Sequence, residues 1–154
     1  MNTYSQQDQC KVESFDKEFR FLSNFYRAPL MYRGIAYPTS EHAYQASKTL
    51  NENSRMNISI LNTPAQAKNY GKTVQLRPDW DEVKLRIMTE IVRAKFMQNP
   101  SLQEKLLATD DIILEEGNKW GDTYWGICRG EGENHLGKVL MNLRESLNTN
   151  TEET

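Results

Sequence analysis

The stretch Pro38-Thr39-Ser40-Glu41-His42-Ala43-Tyr44-Gln45 reads as the start of a helix. It carries an acid where a folded domain gains little from one. Pro38 stops the preceding run, Thr39 or Ser40 can cap the helix, and Glu41 falls in its first turn. There the free N–H groups and the positive end of the dipole are expected to hold the carboxylate in its charged form. An ionised glutamate on a rigid helix suits a substrate that develops positive charge. The plainer reading of the same residues is a capping acid with no further role.

Outward from this helix, which is expected to run from about Thr39 to Leu50, the chain alternates helix signals with short extended runs. Upstream, Ala28 to Tyr37 reads as two strands around an Arg33-Gly34 turn. Downstream, Asn51 to Arg55 reads as a loop, and Thr63-Pro64 as an N-cap followed by proline at the first helical position. Val83, Ile87, Met88, Ile91, Phe96 and Met97 form a stripe of helical period over Asp79 to Gln98. Asn99-Pro100 ends that helix, and Ser101 is placed to cap the next, whose apolar face is Leu102, Leu106 and Leu107. A strand at Ile112 to Leu114 leads into a loop from Glu115 to Gly132, and a last helix begins near Asn134 as its cap. The expected fold is α+β: one mostly helical domain over residues 12–147 with a small antiparallel sheet, a flexible leader at 1–11 and a flexible tail at 148–154.

Composition narrows the function classes. With 154 residues the chain can bury a core without staples, and 38% hydrophobic with 26% charged residues is ordinary for a globular domain. A formal charge of −2 with interspersed signs argues against an extended nucleic-acid footprint, though a local pocket for one or two phosphates is compatible with it. Cys10 and Cys128 are too few for a disulfide framework, and with only His42 and His135 no metal site is expected. No apolar run nears the roughly 18 residues of a membrane span, and MNTYSQQDQC is not a signal peptide, so a cytoplasmic location is expected, or a host's cytoplasm if the source is viral.

Four groups of residues are candidates for chemistry. Glu41 and Lys48 lie seven residues apart, so on one helix they share a face about 10 Å apart along the axis, with Gln45 between them and Tyr44 alongside. The segment from Glu115 to Gly126 holds Glu116, Asn118, Trp120, Asp122 and Trp125 among glycines. Glycines allow close backbone approach and indoles supply stacking walls, which suits a planar heterocycle bearing amino groups; the alternative is that the tryptophans plug the core. Arg77, just before the long helix, is placed to hold a phosphate beside free N–H groups, and Ser23-Asn24 can bond a sugar. Asp79 reads as an N-cap and His135 as a surface or capping residue.

Five segments now fall into one order. Phe21-Leu22-Ser23-Asn24-Phe25, Pro38 to Gln45, Arg93-Ala94-Lys95-Phe96, Asp122-Thr123-Tyr124-Trp125-Gly126 and Asn134 to Arg144 together resemble the YbiA-like NADAR family (NAD- and ADP-ribose-associated) across roughly Phe15 to Leu147. The resemblance implies a compact, mostly helical N-glycosidase that needs no cofactor. Members of the family either cleave ribose phosphate from the amino group of early riboflavin-pathway pyrimidines, or remove ADP-ribose from the amino group of guanine in nucleic acid as antitoxins to an ADP-ribosyltransferase. By similarity Glu41 is the essential glutamate, Asp122 with Trp125 the Asp-x-x-Trp-Gly segment, and Trp80 a pocket tryptophan. Where many relatives have a lysine and then a tryptophan ahead of the helix, this chain has Ile35 and Tyr37. The fuller stretch from Glu116 to Asp122 looks more like the ADP-ribose branch, which puts ADP-ribosylated guanine first among expected substrates and a ribosylaminopyrimidine phosphate second. A non-catalytic ADP-ribose reader is a third reading, disfavoured by the presence of Glu41.

Two routes break such a glycosylamine. An ionised Glu41 can stabilise an oxocarbenium ion at C1 while activating water. Alternatively the sugar ring opens, and Lys48, its pKa lowered by an aromatic pocket, takes C1 as a Schiff base. Asp122 is expected to bond the amino face of the base or protonate the leaving nitrogen.

Overall fold

The computed structural model describes residues 10–152. The expected hairpin is present: β2 (Arg27–Tyr32) pairs antiparallel with β3 (Ile35–Thr39), in the register Leu30 opposite Tyr37 and Tyr32 opposite Ile35. Arg33 and Gly34 both take positive φ, 49° and 85°, the pair of left-handed residues that a two-residue turn matching the strand twist requires. Along β2 Ala28 and Leu30 are buried in the core and Tyr32 packs partly against it, as period two demands.

β3 runs directly into α1 (Ser40–Ser47), and of the two candidate caps Thr39 is the one used: its side chain accepts from the His42 N–H at 3.2 Å. α1 is the central helix. It packs against the hairpin, α2 (Glu52–Ser59), α3 (Pro64–Gly71) and α4 (Trp80–Gln98), so all eight of its residues are buried although most are polar. His42 is satisfied inside that packing by Thr39 Oγ1 at 2.7 Å and the Leu61 carbonyl at 3.0 Å.

α2 replaces the loop expected at Asn51 to Arg55. Asn51 caps it by accepting from the Ser54 N–H at 2.9 Å, and Ile58 is its only buried residue, so it shows no apolar stripe to read. α3 begins as expected, with Thr63 and Gln66 closing a capping box around Pro64. α4 buries Ile87, Met88, Ile91 and Phe96, but Met97 is 46% exposed and Lys95 takes the inward place, 1% exposed. α5 (Pro100–Leu107) starts at the proline itself, so Ser101 lies inside the helix and caps nothing; Asn99 donates back to the carbonyls of Lys95 and Pro29.

The remaining strands are two-residue ladders. β1 (Lys11–Val12) pairs with β4 (Ile113–Leu114), and β5 (Gly117–Asn118) with β6 (Ile127–Cys128). Both ladders are parallel, so of the small sheets only the hairpin is antiparallel. α6 (His135–Glu152) closes the fold and reaches into the segment read as a flexible tail, as far as Glu152. Asn134 is not its side-chain cap: Oδ1 accepts from the Glu116 N–H and Nδ2 donates to the Leu114 carbonyl, pinning the start of the loop to the start of the helix. The leader falls largely outside the described residues; Lys11 lies in β1. Among the described residues no helix is long and apolar enough to cross a membrane.

Candidate active site

A cavity of about 350 Å³ opens between α1, α3, α4, the turn at residues 23–25 and the loop after β4. α1 contributes Glu41, Tyr44, Gln45 and Lys48, so the seven-residue spacing does place the acid and the amine on one lined face. Ser23 and Asn24 enter from the turn, and Glu116, Trp120, Asp122 and Trp125 from the loop.

The turn is tied to α1. The Asn24 carbonyl accepts from the Glu41 N–H at 3.0 Å, and Asn24 Oδ1 accepts from Ser40 Oγ at 2.9 Å, so both of its oxygens are spent on the helix start. Ser23 Oγ accepts from the Phe25 N–H, which leaves its hydroxyl proton free to donate. From below, Lys95 Nζ donates to the carbonyls of Phe21 at 2.7 Å and Ser23 at 2.9 Å.

Glu41 departs from expectation. It is 7% exposed, and burial pushes its pKa above the usual carboxylate range. The Gln45 Nε2 bond to Oε1 at 2.7 Å and the charges of Lys68 and Lys48 oppose that rise, while Asp122 adds to it. Desolvation thus works against the charged form that the helix start favours, and the net shift is upward. Lys48, half-buried with Nζ 5.5 Å from the centre of the Tyr44 ring, is lowered by burial, against the pull of Glu41. Gln45 Oε1 is buried without a hydrogen-bond partner.

The aromatic wall is built in layers. Trp125 Nε1 donates to the Tyr44 hydroxyl at 3.1 Å, and the two rings meet edge to face at 5.5 Å. Trp80 packs behind Tyr44 with the rings tilted and their centres 5.3 Å apart, buried and off the cavity, so the tryptophan that the resemblance places in the pocket here backs its wall. Trp120 is no plug: it stands 65% exposed at the rim, with Lys68 Nζ 5.6 Å from its ring centre.

Two more candidates are displaced. Arg77 is engaged by Asp79 through Nε at 2.6 Å and Nη2 at 3.0 Å and does not line the cavity, and Asp79 accordingly gives no side-chain cap to α4. The backbone N–H of Arg77 donates to the Lys48 carbonyl at 2.7 Å, so this residue fixes the end of α1 instead of holding a phosphate there. Asn118 also stays off the cavity surface; its side chain bonds the backbone N–H and C=O of Asp122 and reaches Glu116 Oε2 at 3.2 Å. Asp122 Oδ1 accepts from the N–H groups of Tyr124 and Trp125, which sets the turn that carries the indole.

Sequence reasoning missed Phe25, Lys68, Met88 and Leu136, which also line the cavity. Lys68 is the important omission, since it lines the cavity and its charge favours the ionised forms of both Glu41 and Glu116. The capped start of α3 was readable, but nothing local showed that this helix packs beside α1.

One buried and two partly buried carboxylates, lining a cavity with two partly buried amines under an aromatic wall, can stabilise a carbon gaining positive charge next to a flat, polar leaving group. A family model described as the NADAR domain matches residues 7–148, and the chain belongs to that family. It is 39% identical over 137 residues to the N-glycosidase YbiA of Escherichia coli, covering 87% of this chain and 85% of the relative. It is 38% identical over 135 residues to a riboflavin biosynthesis protein of Vibrio vulnificus, covering 86% of this chain and 36% of that longer protein. The solved structure of E. coli YbiA superimposes with a TM-score of 0.82 at 35% identity, covering 100% of this chain and 97% of that one.

Proposed function

We propose that this chain is an N-glycosidase that hydrolyses the bond between ribose C1 and an exocyclic amino group of a guanine-like heterocycle, and that its substrate is a small ribosylaminopyrimidine phosphate. The class, a hydrolase of N-glycosidic bonds, agrees with the name carried by the E. coli relative. The observation that carries the reading is the convergence of Glu41, Lys48, Asp122 and Trp125 on one cavity. An anionic carboxylate stabilises charge at C1 and takes the proton of the attacking water. A lysine whose pKa burial has lowered is a competent nucleophile for the ring-opened sugar. In that second route the C1 iminium accepts the Lys48 amine, the base departs with its amino group, and water releases the aldehyde from the Schiff base.

The order of the two substrates is the reverse of the sequence-based expectation. A volume of about 350 Å³ lies at the small end of the range for small-molecule sites, roughly 300–1,000 Å³, and supports a compact metabolite. The riboflavin name of the V. vulnificus relative supports the same choice. ADP-ribosylated guanine in nucleic acid, with its transferase counterpart, is the second reading, favoured by the exposed indole of Trp120 on which a base can stack.

Incubation with the ribosylaminopyrimidine phosphate and, separately, with guanine-ADP-ribosylated oligonucleotide tests the choice. Release of ribose 5-phosphate from the first at a rate at least tenfold above release of ADP-ribose from the second is expected. The opposite ratio establishes the second reading. Tight binding of ADP-ribose with no turnover of either compound means that the domain is a reader.

A further inference from the structure

Cleaving C1–N leaves the bonding electron pair on nitrogen, and an amino group leaves well only if a proton arrives with it. Asp122, the acid that the sequence nominates for that proton, has Oδ1 occupied by two backbone N–H groups. Glu116 lines the same cavity, with its backbone anchored on both sides and its carboxyl less engaged. Its N–H donates to Asn134 Oδ1 at 2.9 Å, and its carbonyl accepts from the Ile127 N–H at 2.8 Å. Its carboxyl lies over Gly126: a Cβ there would stand 1.8 Å from Glu116 Oε2 and 2.0 Å from the Glu116 carbonyl oxygen. Among the described residues the Asn118 amide, at 3.2 Å, is the one hydrogen-bond partner of the carboxyl. The charged groups acting on it are Asp122 and Glu41, which favour its protonated form, and Lys68, which opposes them.

We propose that Glu116 is the general acid of this site, the group that protonates the departing amino nitrogen. The role rests on the N-glycosidase reading above. In the direct route the C1–N electron pair moves to nitrogen, and the proton passes from Glu116 to nitrogen. C1 takes the oxygen of water, whose proton goes to the Glu41 carboxylate. The products are the neutral amine and the free sugar, and exchange with solvent restores both carboxyl groups. In the Schiff-base route the same proton is needed when the Lys48 amine displaces the base. Burial, with the neighbouring carboxylates, pushes Glu116 up to about 7, so near neutral pH a large fraction of molecules carries the proton to be donated.

The test is the pH profile of kcat on the ribosylaminopyrimidine phosphate for wild type, Glu116→Gln and Glu116→Asp. Wild type is expected to lose rate as pH rises through about 7. Glu116→Gln is expected to lower kcat by about 100-fold or more, with KM changed less than about threefold, and to lose that high-pH limb. Glu116→Asp keeps a limb at reduced kcat. A wild-type profile flat from pH 6 to 9 overturns the assignment without any variant, and so does Glu116→Gln with kcat within threefold of wild type or with the limb intact. Wild type that turns over no ribosylated amine removes the N-glycosidase reading and this role together, whereas turnover with a flat profile removes the role alone.

Discussion

Glu41 is buried at the wall of the cavity with one side-chain hydrogen bond, an arrangement that costs stability whenever the carboxyl ionises. A neutral amide of the same shape avoids that cost. Glu41→Gln is therefore expected to raise the unfolding free energy at pH 7.5 by about 1 kcal/mol, seen as a higher urea midpoint, even as it removes the carboxylate proposed to act at C1. An unchanged or lower midpoint would mean that Glu41 contributes to stability after all. The shared face of Glu41 and Lys48 was legible because seven residues are nearly two helical turns. The ionisation state was not. It is set by desolvation from the hairpin, α2, α3 and α4, and no property of residues 38–45 shows how completely those elements close over α1.

At the scale of elements, side-chain chemistry close in sequence was readable and pairing between distant segments was not. Thr39, Thr63 with Gln66, and the Arg33-Gly34 turn act on neighbours within three or four residues, so their roles follow from spacing. The parallel ladders join residues about a hundred positions apart in one case, Lys11 with Ile113, and each is only two residues long. Asn134 misled for the same reason: a good capping residue at the right place was taken by the Leu114 carbonyl and the Glu116 N–H, neither of which its own segment announces. The junction of this loop with β6 yields a sharp prediction. Gly126→Ala drives a methyl group to 2.0 Å from the backbone oxygen of Glu116, an atom that cannot rotate away. The variant is expected to lose about 1–3 kcal/mol of stability and at least tenfold in kcat; near-wild-type values of both would show that the loop does not clamp Glu116 as described. On the opposite side of the cavity, Thr63→Ala should cost about 1 kcal/mol by opening the capping box of the helix that carries Lys68, with thermal unfolding as the readout.

For the whole molecule, the most consequential buried charge is Lys95, which faces two carbonyls and has no carboxylate partner among its hydrogen bonds. Burial lowers its pKa from 10.5 to about 7 in the folded chain. Between those values the unfolded chain binds the proton more strongly, so folding stability contributed by this group rises with pH from about 7 towards 10.5 and is lowest below about 7. Chemical unfolding at pH 6.5, 8 and 9.5 should show wild type gaining stability relative to Lys95→Met across that window. The variant's fixed cost of leaving the Phe21 and Ser23 carbonyls unbonded appears as an offset, not a slope. Parallel curves would contradict the buried-lysine account. These carbonyls lie at the base of the turn that meets the N-terminus of α1, so the core and the site share one scaffold. The central claim is that this scaffold sets the Glu41 carboxyl against the sugar's C1. Its most direct test is release of ribose 5-phosphate from the ribosylaminopyrimidine phosphate by wild type and by folded Glu41→Gln. The account predicts steady turnover by wild type and a loss of at least about 100-fold in the variant; equal rates from the two proteins would contradict it.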